Sequence, residues 1–295
     1  SKKNGFNFST IIFSTSYALM AYNLVYQTNI MWLDGIVLLP LILLGIENII
    51  DKKSGTLYVV ALFLSIFSCY YIGYMICIFS IIYMAYRIVL VTEDFNFTGI
   101  IKSIKSIGKY IFFSIIAGGL AAFVWIPSLK SLSGGKASFD FTRMNFSRDF
   151  NLPLILTKLY TGSFNIESLE SGLPNIFCGI LMLLLFVLYF LNKNIKLKEK
   201  IASAVLTTII ILSFYISGLN LIWHGFNPPA GFPYRYSFVF SFIIIYLAYK
   251  CFKSLKGGFS IITLAIVNAF FIGITVLFIL MKISYLNIIL VIIDM

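Results

Sequence analysis

Long apolar runs separated by short, lysine-rich polar interruptions make up nearly the whole chain. An apolar stretch of about 20 residues crosses a bilayer as a helix, because each residue rises about 1.5 Å against a hydrocarbon core of about 30 Å. The runs predict spanning helices over 9–26, 33–50, 110–129, 174–191, 201–219, 234–252 and 259–281. The run 57–91 is too long for one span, since a single helix would measure about 52 Å. It reads as two short helices broken around Tyr70-Tyr71-Ile72-Gly73-Tyr74. The expected fold is an all-α polytopic membrane protein with about nine transmembrane segments and the start of a tenth after Lys282. These form a single membrane-embedded domain over 1–295. Within it, 130–173 is an outer loop whose residues 152–160 read as a short amphipathic helix on the membrane surface.

Composition supports this reading. Hydrophobic residues make up 60% of the chain and charged residues only 11%, with a mean hydropathy of +0.98. Soluble domains carry about a quarter of their residues as charges. The net charge of +11 comes from short clusters between apolar runs, the pattern of membrane loops, and not from a basic patch interleaved with aromatics. Nucleic acid is therefore not an expected partner; membrane lipids are. With a cytoplasmic N-terminus, 15 Lys and Arg residues fall on the inner side and 7 on the outer, five of those seven in the loop 130–173. That orientation sends the polar and aromatic loops outward, to the extracytoplasmic face. The chain opens on Ser1 without an initiator Met and closes inside an apolar stretch, so a piece of a longer membrane protein, truncated at both ends, is expected.

Candidate chemistry gathers in those outer loops. Asp34 stands at the head of span 33–50, next to Asn29 and Trp32. It reads either as a carboxylate stabilising a helix N-terminus or as an ionisable group facing a wet cavity. Trp32 reads as an interfacial anchor or as part of that cavity. Tyr70, Tyr71 and Tyr74 are suited to stacking on a sugar ring while donating hydrogen bonds, or to marking a plain interfacial hairpin. His224, the only histidine, follows Trp223 in an outer turn and serves as an acid, a base, a hydrogen-bond donor or an ordinary loop residue. Arg235 offers a fork for phosphate, or snorkels to lipid headgroups. The acids of the long loop, Asp140, Asp149, Glu167 and Glu170, are too dispersed to name a pair. Ser133-Gly134-Gly135-Lys136 lacks the Walker spacing. The four cysteines lack metal-ligand spacing, and no metal site is expected.

Four strings in order resemble the YfhO family of bacterial membrane proteins: 29–40 (NIMWLDGIVLLP), 71–79 (YIGYMICIF), 172–179 (GLPNIFCG) and 232–238 (FPYRYSF). The resemblance implies a GT-C-like helical bundle in the bacterial plasma membrane. It implies a glycosyltransferase that takes a sugar from a polyprenyl-phosphate carrier and passes it to an extracytoplasmic envelope polymer such as teichoic acid. That carrier-linked sugar is the donor substrate, and no cofactor is implied. GT-C enzymes place a catalytic carboxylate in their first outer loop, which is expected to precede this chain. Asp34 would then be a second outer acid on the acceptor side, and the isolated fragment would be inactive. Arg235 would hold the carrier phosphate, the three tyrosines would line the sugar pocket, and His224 would donate a hydrogen bond near the leaving group. Two other readings compete. One is a transporter or flippase of lipid-linked sugars, which would use the same broken helix. The other is a non-catalytic scaffold for envelope assembly.

Overall fold

Within lipid, backbone polar groups have no water to bond, so the apolar runs close their hydrogen bonds internally as helices. The computed structural model describes residues 8–92, 97–133, 144–164, 166, 168–255 and 257–281. Among these residues the helices are α1 (Phe8–Ala18), α2 (Ala21–Val25), α3 (Ile30–Ile50), α4 (Thr56–Ser68), α5 (Tyr70–Val91), α6 (Phe97–Leu120) and α7 (Ala122–Ser133). After the 3-10 helix Leu152–Leu159 come α8 (Ser168–Ser171), α9 (Ile180–Leu191), α10 (Leu197–Tyr215), α11 (Ser217–Trp223), α12 (Ser237–Ser254) and α13 (Ile261–Met281). No strand occurs among the described residues.

Four of these helices, α3, α5, α12 and α13, are long and apolar enough to cross a membrane, and the bent pair α6–α7 makes a fifth candidate. This falls short of the nine expected segments for local reasons. The run 9–26 divides at Leu19-Met20 into α1 and α2. The run 110–129 bends by 71° at Ala121, just past Gly118-Gly119. In 174–191 only α9 is helical, and the glycine- and proline-containing stretch 172–179 forms no regular element. The run 201–219 breaks at Ile216, which takes extended angles (φ −100, ψ 115). The run 57–91 does divide, but at Cys69 (φ −151, ψ 100) rather than through Tyr70 to Tyr74. Those residues form the first turn of a 22-residue α5, so the second helix is full length. Gly73 is a packing glycine, not a hinge: a Cβ there would lie 2.8 Å from the Cα of Ile66 on α4. The expected tenth segment, together with Asp140, Glu167 and Gly134 to Lys136, lies outside the described residues.

The chain forms two compact units: Ser1–Val25 with Phe150–Ile201 and Ala230–Met295, and Tyr26–Asp149 with Ala202–Pro229. In the second of these, α3 packs on α4 and α5, and α4 on α6. Helices in lipid gain little from burial alone, and close packing with interhelical hydrogen bonds replaces it. Tyr58 hydroxyl bonds Ser114 Oγ at 2.8 Å, and Ser80 Oγ bonds Tyr110 hydroxyl at 2.7 Å. At the far end of α5, Arg87 grips Glu47 of α3 with Nε at 2.5 Å and a terminal nitrogen at 2.6 Å. Tyr83 hydroxyl donates to the same carboxylate at 2.6 Å.

In the other unit, α9 and α1 pack on α12. The 172–179 string is tied to α12 and α2: Ser241 Oγ of α12 donates to Ile176 O at 3.1 Å, and the Ala21 N–H to Phe177 O at 2.8 Å. Phe232 and Tyr234 hold left-handed backbone angles (φ 51 and 55), so the 232–238 string is strained at its start. The 3-10 helix has an exposed start, Leu152 and Pro153, and a buried side. Ile155, Thr157 and Lys158 are buried, and Tyr160 packs edge-on to Phe278 of α13 at 5.8 Å.

Candidate functional site

The most elaborate arrangement of polar groups lies in the unit built on Tyr26–Asp149 and Ala202–Pro229, and it starts from two helix breaks. At Ile216 the chain leaves α10, and its freed backbone groups pair with the segment before Asp149. The Asp149 N–H donates to Tyr215 O at 3.0 Å and the Ser217 N–H to Ser147 O at 3.1 Å, around an antiparallel bridge of Arg148 with Ile216. Contact is tight enough to require glycine at 218, where a Cβ would lie 2.6 Å from Asn145 O. This stitching delivers the Asp149 carboxylate to α11. Ser217 Oγ donates to one of its oxygens at 2.7 Å and Asn220 Nδ2 to the other at 2.8 Å.

Asn220 also holds His224. The histidine Nδ1 lies 2.9 Å from Asn220 O. A carbonyl only accepts, so Nδ1 carries the proton and the neutral ring keeps its lone pair on Nε2. His224 is only 2% exposed, and its ring stands 6.3 Å from that of Tyr71. Gly225 and Phe226 follow in left-handed conformations (φ 66 and 61), and the strain at Phe226 turns the chain sharply after the histidine.

The second break shapes the space in front of His224. Where α6 bends into α7, Trp125 Nε1 bonds the Gly118 carbonyl at 2.9 Å. Trp125 therefore stands over a chamber of about 440 Å³, walled also by Tyr70, Tyr71, Tyr74, Phe226 and His224. Tyr74 fixes the wall by donating to Ile222 O at 2.9 Å. A longer apolar cavity of about 780 Å³ adjoins the chamber, sharing Ile66, Cys77 and Gly118, and extends along α5 to Val89. From Tyr70 to Val89 the helix covers about 28 Å, close to the thickness of a hydrocarbon core. Behind His224 lies a third space of about 250 Å³, a polar niche lined by Asp149, Ser217, Asn220 and Pro228-Pro229. His224 belongs to both the chamber and the niche.

Of the residues singled out in the sequence, the structure brings together Tyr70, Tyr71, Tyr74 and His224. Asp34 is exposed and accepts a hydrogen bond from Ser68 Oγ at the end of α4; it lines neither space. Trp32 is buried against Tyr26 at 5.5 Å, Asn29 precedes the first turn of α3, and Trp223 is buried at the end of α11. Arg235 belongs to the other unit, where Nε and a terminal nitrogen bond the Phe232 and Gly231 carbonyls of its own turn at 3.1 and 3.0 Å. Trp125 and Asp149 escaped selection. Trp125 reads as one more apolar residue, and Asp149 finds its partners 68 and 71 residues further along the chain. Among the described residues no three His, Cys, Asp or Glu side chains gather as a metal centre requires.

Helices long enough to span a bilayer, with a lipid-length apolar cavity ending at a tyrosine- and histidine-walled chamber, define an all-helical integral membrane protein. The chain matches the bacterial membrane protein YfhO family over residues 1–295 and belongs to it. No curated protein and no solved structure matches the chain.

Proposed function

We propose that this protein is a membrane glycosyltransferase that moves a sugar from a polyprenyl-phosphate carrier to an extracytoplasmic envelope polymer such as teichoic acid. The observation that carries the reading is the apolar cavity running along α5 into the chamber walled by Tyr70, Tyr71, Tyr74, Trp125 and His224. A prenyl chain needs a passage of this length and polarity, and a sugar needs aromatic faces and hydroxyl donors at its end. In the proposed arrangement the prenyl chain lies against α4, α5 and α6, and the sugar stacks beneath Trp125 among the tyrosines. His224, with Nδ1–H committed to Asn220, acts through Nε2, which donates a hydrogen bond to the departing phosphate once it has taken up a proton. Asp34 acts at one remove, holding through Ser68 the turn that leads into Tyr70. The nine-span, GT-C-like arrangement with this end of α5 outward belongs to the same proposal. Arg235, in the other unit, is proposed separately as a phosphate-binding cation, a role tested by Arg235→Lys, which keeps the charge and loses the fork.

A second reading, translocation of the carrier without bond-making, takes support from the length of the same cavity. One experiment separates the two. The gene is deleted and restored, envelope polymers are extracted, and their sugar substituents are counted by NMR. The proposal expects sugar lost on deletion and restored by the intact gene, with carrier-linked sugar accumulating on the outside of deleted cells. Accumulation confined to the inside would favour translocation, and unchanged substitution would remove polymer glycosylation altogether.

A further inference from the structure

Three helix ends meet at one corner of the unit built on Ser1–Val25, Phe150–Ile201 and Ala230–Met295. There α9 stops at Leu191, α10 starts at Leu197 and α12 stops at Ser254. The linker from α9 to α10 is tied down. Asn192 is buried and its Nδ2 donates to Ser254 Oγ at 2.9 Å, while Asn194 Nδ2 donates to Ser254 O at 3.1 Å. These tethers hold Lys193 and Lys196 at the same corner as Lys253, and all three lysines are exposed. Lys253 reaches over the Tyr249 ring, with Nζ 5.6 Å from its centroid. Negative charge is scarce here: Glu199 is the only Asp or Glu between residues 171 and 293, and Lys250 takes it at 2.5 Å. Among the described residues, none of Lys193, Lys196 and Lys253 meets a carboxylate. Exposed apolar side chains, Leu191, Leu197 and Phe252, flank them along the chain. Since α12 is long and apolar enough to cross a membrane, its lysine-bearing end falls at the bilayer surface.

We propose that this corner is a binding site for an anionic phospholipid, its headgroup phosphate held by Lys193, Lys196 and Lys253 and its acyl chains lying against Leu191, Leu197 and Phe252. Lysines at helix ends often do no more than offset the helix dipole or snorkel to whatever headgroup is near. Two observations go beyond that. A snorkelling lysine needs no fixed backbone, yet two asparagine side chains fasten the backbone of Lys193 and Lys196 to the residue after Lys253. The one carboxylate that could neutralise the corner from within is turned to Lys250, which leaves three cations for an anion from outside. A phosphodiester offers that charge and accepts charge-assisted hydrogen bonds from the ammonium groups. A zwitterionic headgroup brings its own cation, which the lysines repel. The apolar neighbours favour a lipid over a soluble phosphate. This role is separate from the sugar chemistry proposed above and does not depend on it.

The test uses the full-length gene product in mild detergent, with bound lipid counted by native mass spectrometry during titration. Phosphatidylglycerol should bind about tenfold or more tightly than phosphatidylcholine with the same acyl chains, since each surface lysine contributes about fivefold. The triple variant Lys193→Gln/Lys196→Gln/Lys253→Gln should lose that preference. A control, Lys102→Gln/Lys105→Gln/Lys109→Gln, removes the same charge from exposed positions on α6 in the other unit and should shift the preference by less than about twofold. Asn192→Ala keeps every lysine but frees the linker, and should weaken phosphatidylglycerol by about fivefold; where that variant fails to fold, Asn194→Ala, at an exposed position, takes its place. Equal binding of the two lipids by the intact protein overturns the site and leaves only snorkelling. Equal loss in the triple variant and the α6 control reduces the preference to net charge, and full affinity after loss of the tether removes the prebuilt corner. Displacement of phosphatidylglycerol by an equal concentration of glycerol 1-phosphate would make it a soluble-anion site and overturn the lipid assignment.

Discussion

Two carboxylates in the same unit are treated in opposite ways. Glu47 meets Arg87 through two nitrogens and Tyr83 through a hydroxyl, and its side chain is only 24% exposed. Asp149 meets a serine hydroxyl and an asparagine amide, and opens onto a cavity. A charge enclosed by an opposite charge has most of its field cancelled, and it serves to hold α3 to α5. A charge held by neutral dipoles keeps its field while losing its rotational freedom. The contrast also bears on transport. Glu47 is the acid nearest to a coupling site in the sequence, and it is closed by its partners.

The comparison breaks most visibly at Glu47. Glu47→Gln leaves the Arg87 guanidinium without its counter-charge, and destabilises the protein by about 2–3 kcal/mol after allowance for partial exposure. Thermal unfolding of the detergent-solubilised protein should show this as a lowered midpoint, with transfer per folded molecule unchanged. A Glu47 variant that loses transfer but keeps its stability would show the closed pair to be part of the working site.

Gly218→Ala sharpens the other half. The added methyl meets the Asn145 carbonyl and pushes 145–149 from the α10–α11 break, at about 1–3 kcal/mol. Because α11 carries His224 into the chamber wall, transfer should fall together with stability, unlike in the Glu47 variant. An unchanged midpoint with full transfer would mean that the segment relaxes without moving its carboxylate.

How much of this was legible in the sequence follows from the range of the interactions involved. Hydropathy is local, so the helical class and the principal apolar helices could be read directly. The break in 57–91 was also legible, because no single span is 35 residues long. Its position at Cys69 was not, since Gly73 looks like a hinge until Ile66 of the neighbouring helix is seen against it. The bend at Ala121 was hidden because Gly118-Gly119 is ordinary in a membrane helix. His224 stood out by being alone and the tyrosines by clustering, and these reach the chamber. Asp149 looked like one dispersed acid among four, since nothing within a few residues of it signals a partner. Trp32 and Trp223 stood out by type; both are buried, and neither lines the chamber or the niche.

Gly118 offers an effect of opposite sign on stability and function. It lines both the chamber and the long cavity, and a Cβ there would meet nothing within 4 Å. Gly118→Leu should therefore stabilise α6 by about 1 kcal/mol through helix propensity while its side chain fills the passage. Transfer should drop by about tenfold, equivalent to about 1.4 kcal/mol, with the loss appearing in carrier KM. Undiminished transfer would place the prenyl chain elsewhere.

The smallest effect concerns Lys158, a third way of holding a charge, this time in the other unit. Its ammonium is buried with Nζ 2.5 Å from Ser163 O, and burial lowers its pKa from 10.5 to about 8. Between about pH 8 and 10.5 the unfolded chain binds a proton that the folded chain has released, so stability rises with pH across that window. Below pH 8 both states are protonated and the full penalty for burying the charge remains. Lys158→Met removes the penalty together with the bond to Ser163, which is worth about 1–2 kcal/mol. The net gain should be about 1 kcal/mol at pH 7.5 and turn into a loss of similar size towards pH 10, read as melting midpoints of variant and parent that cross. Midpoints lower for the variant at both pH values would show that the lysine is retained as a structural tether, its hydrogen bond outweighing its desolvation.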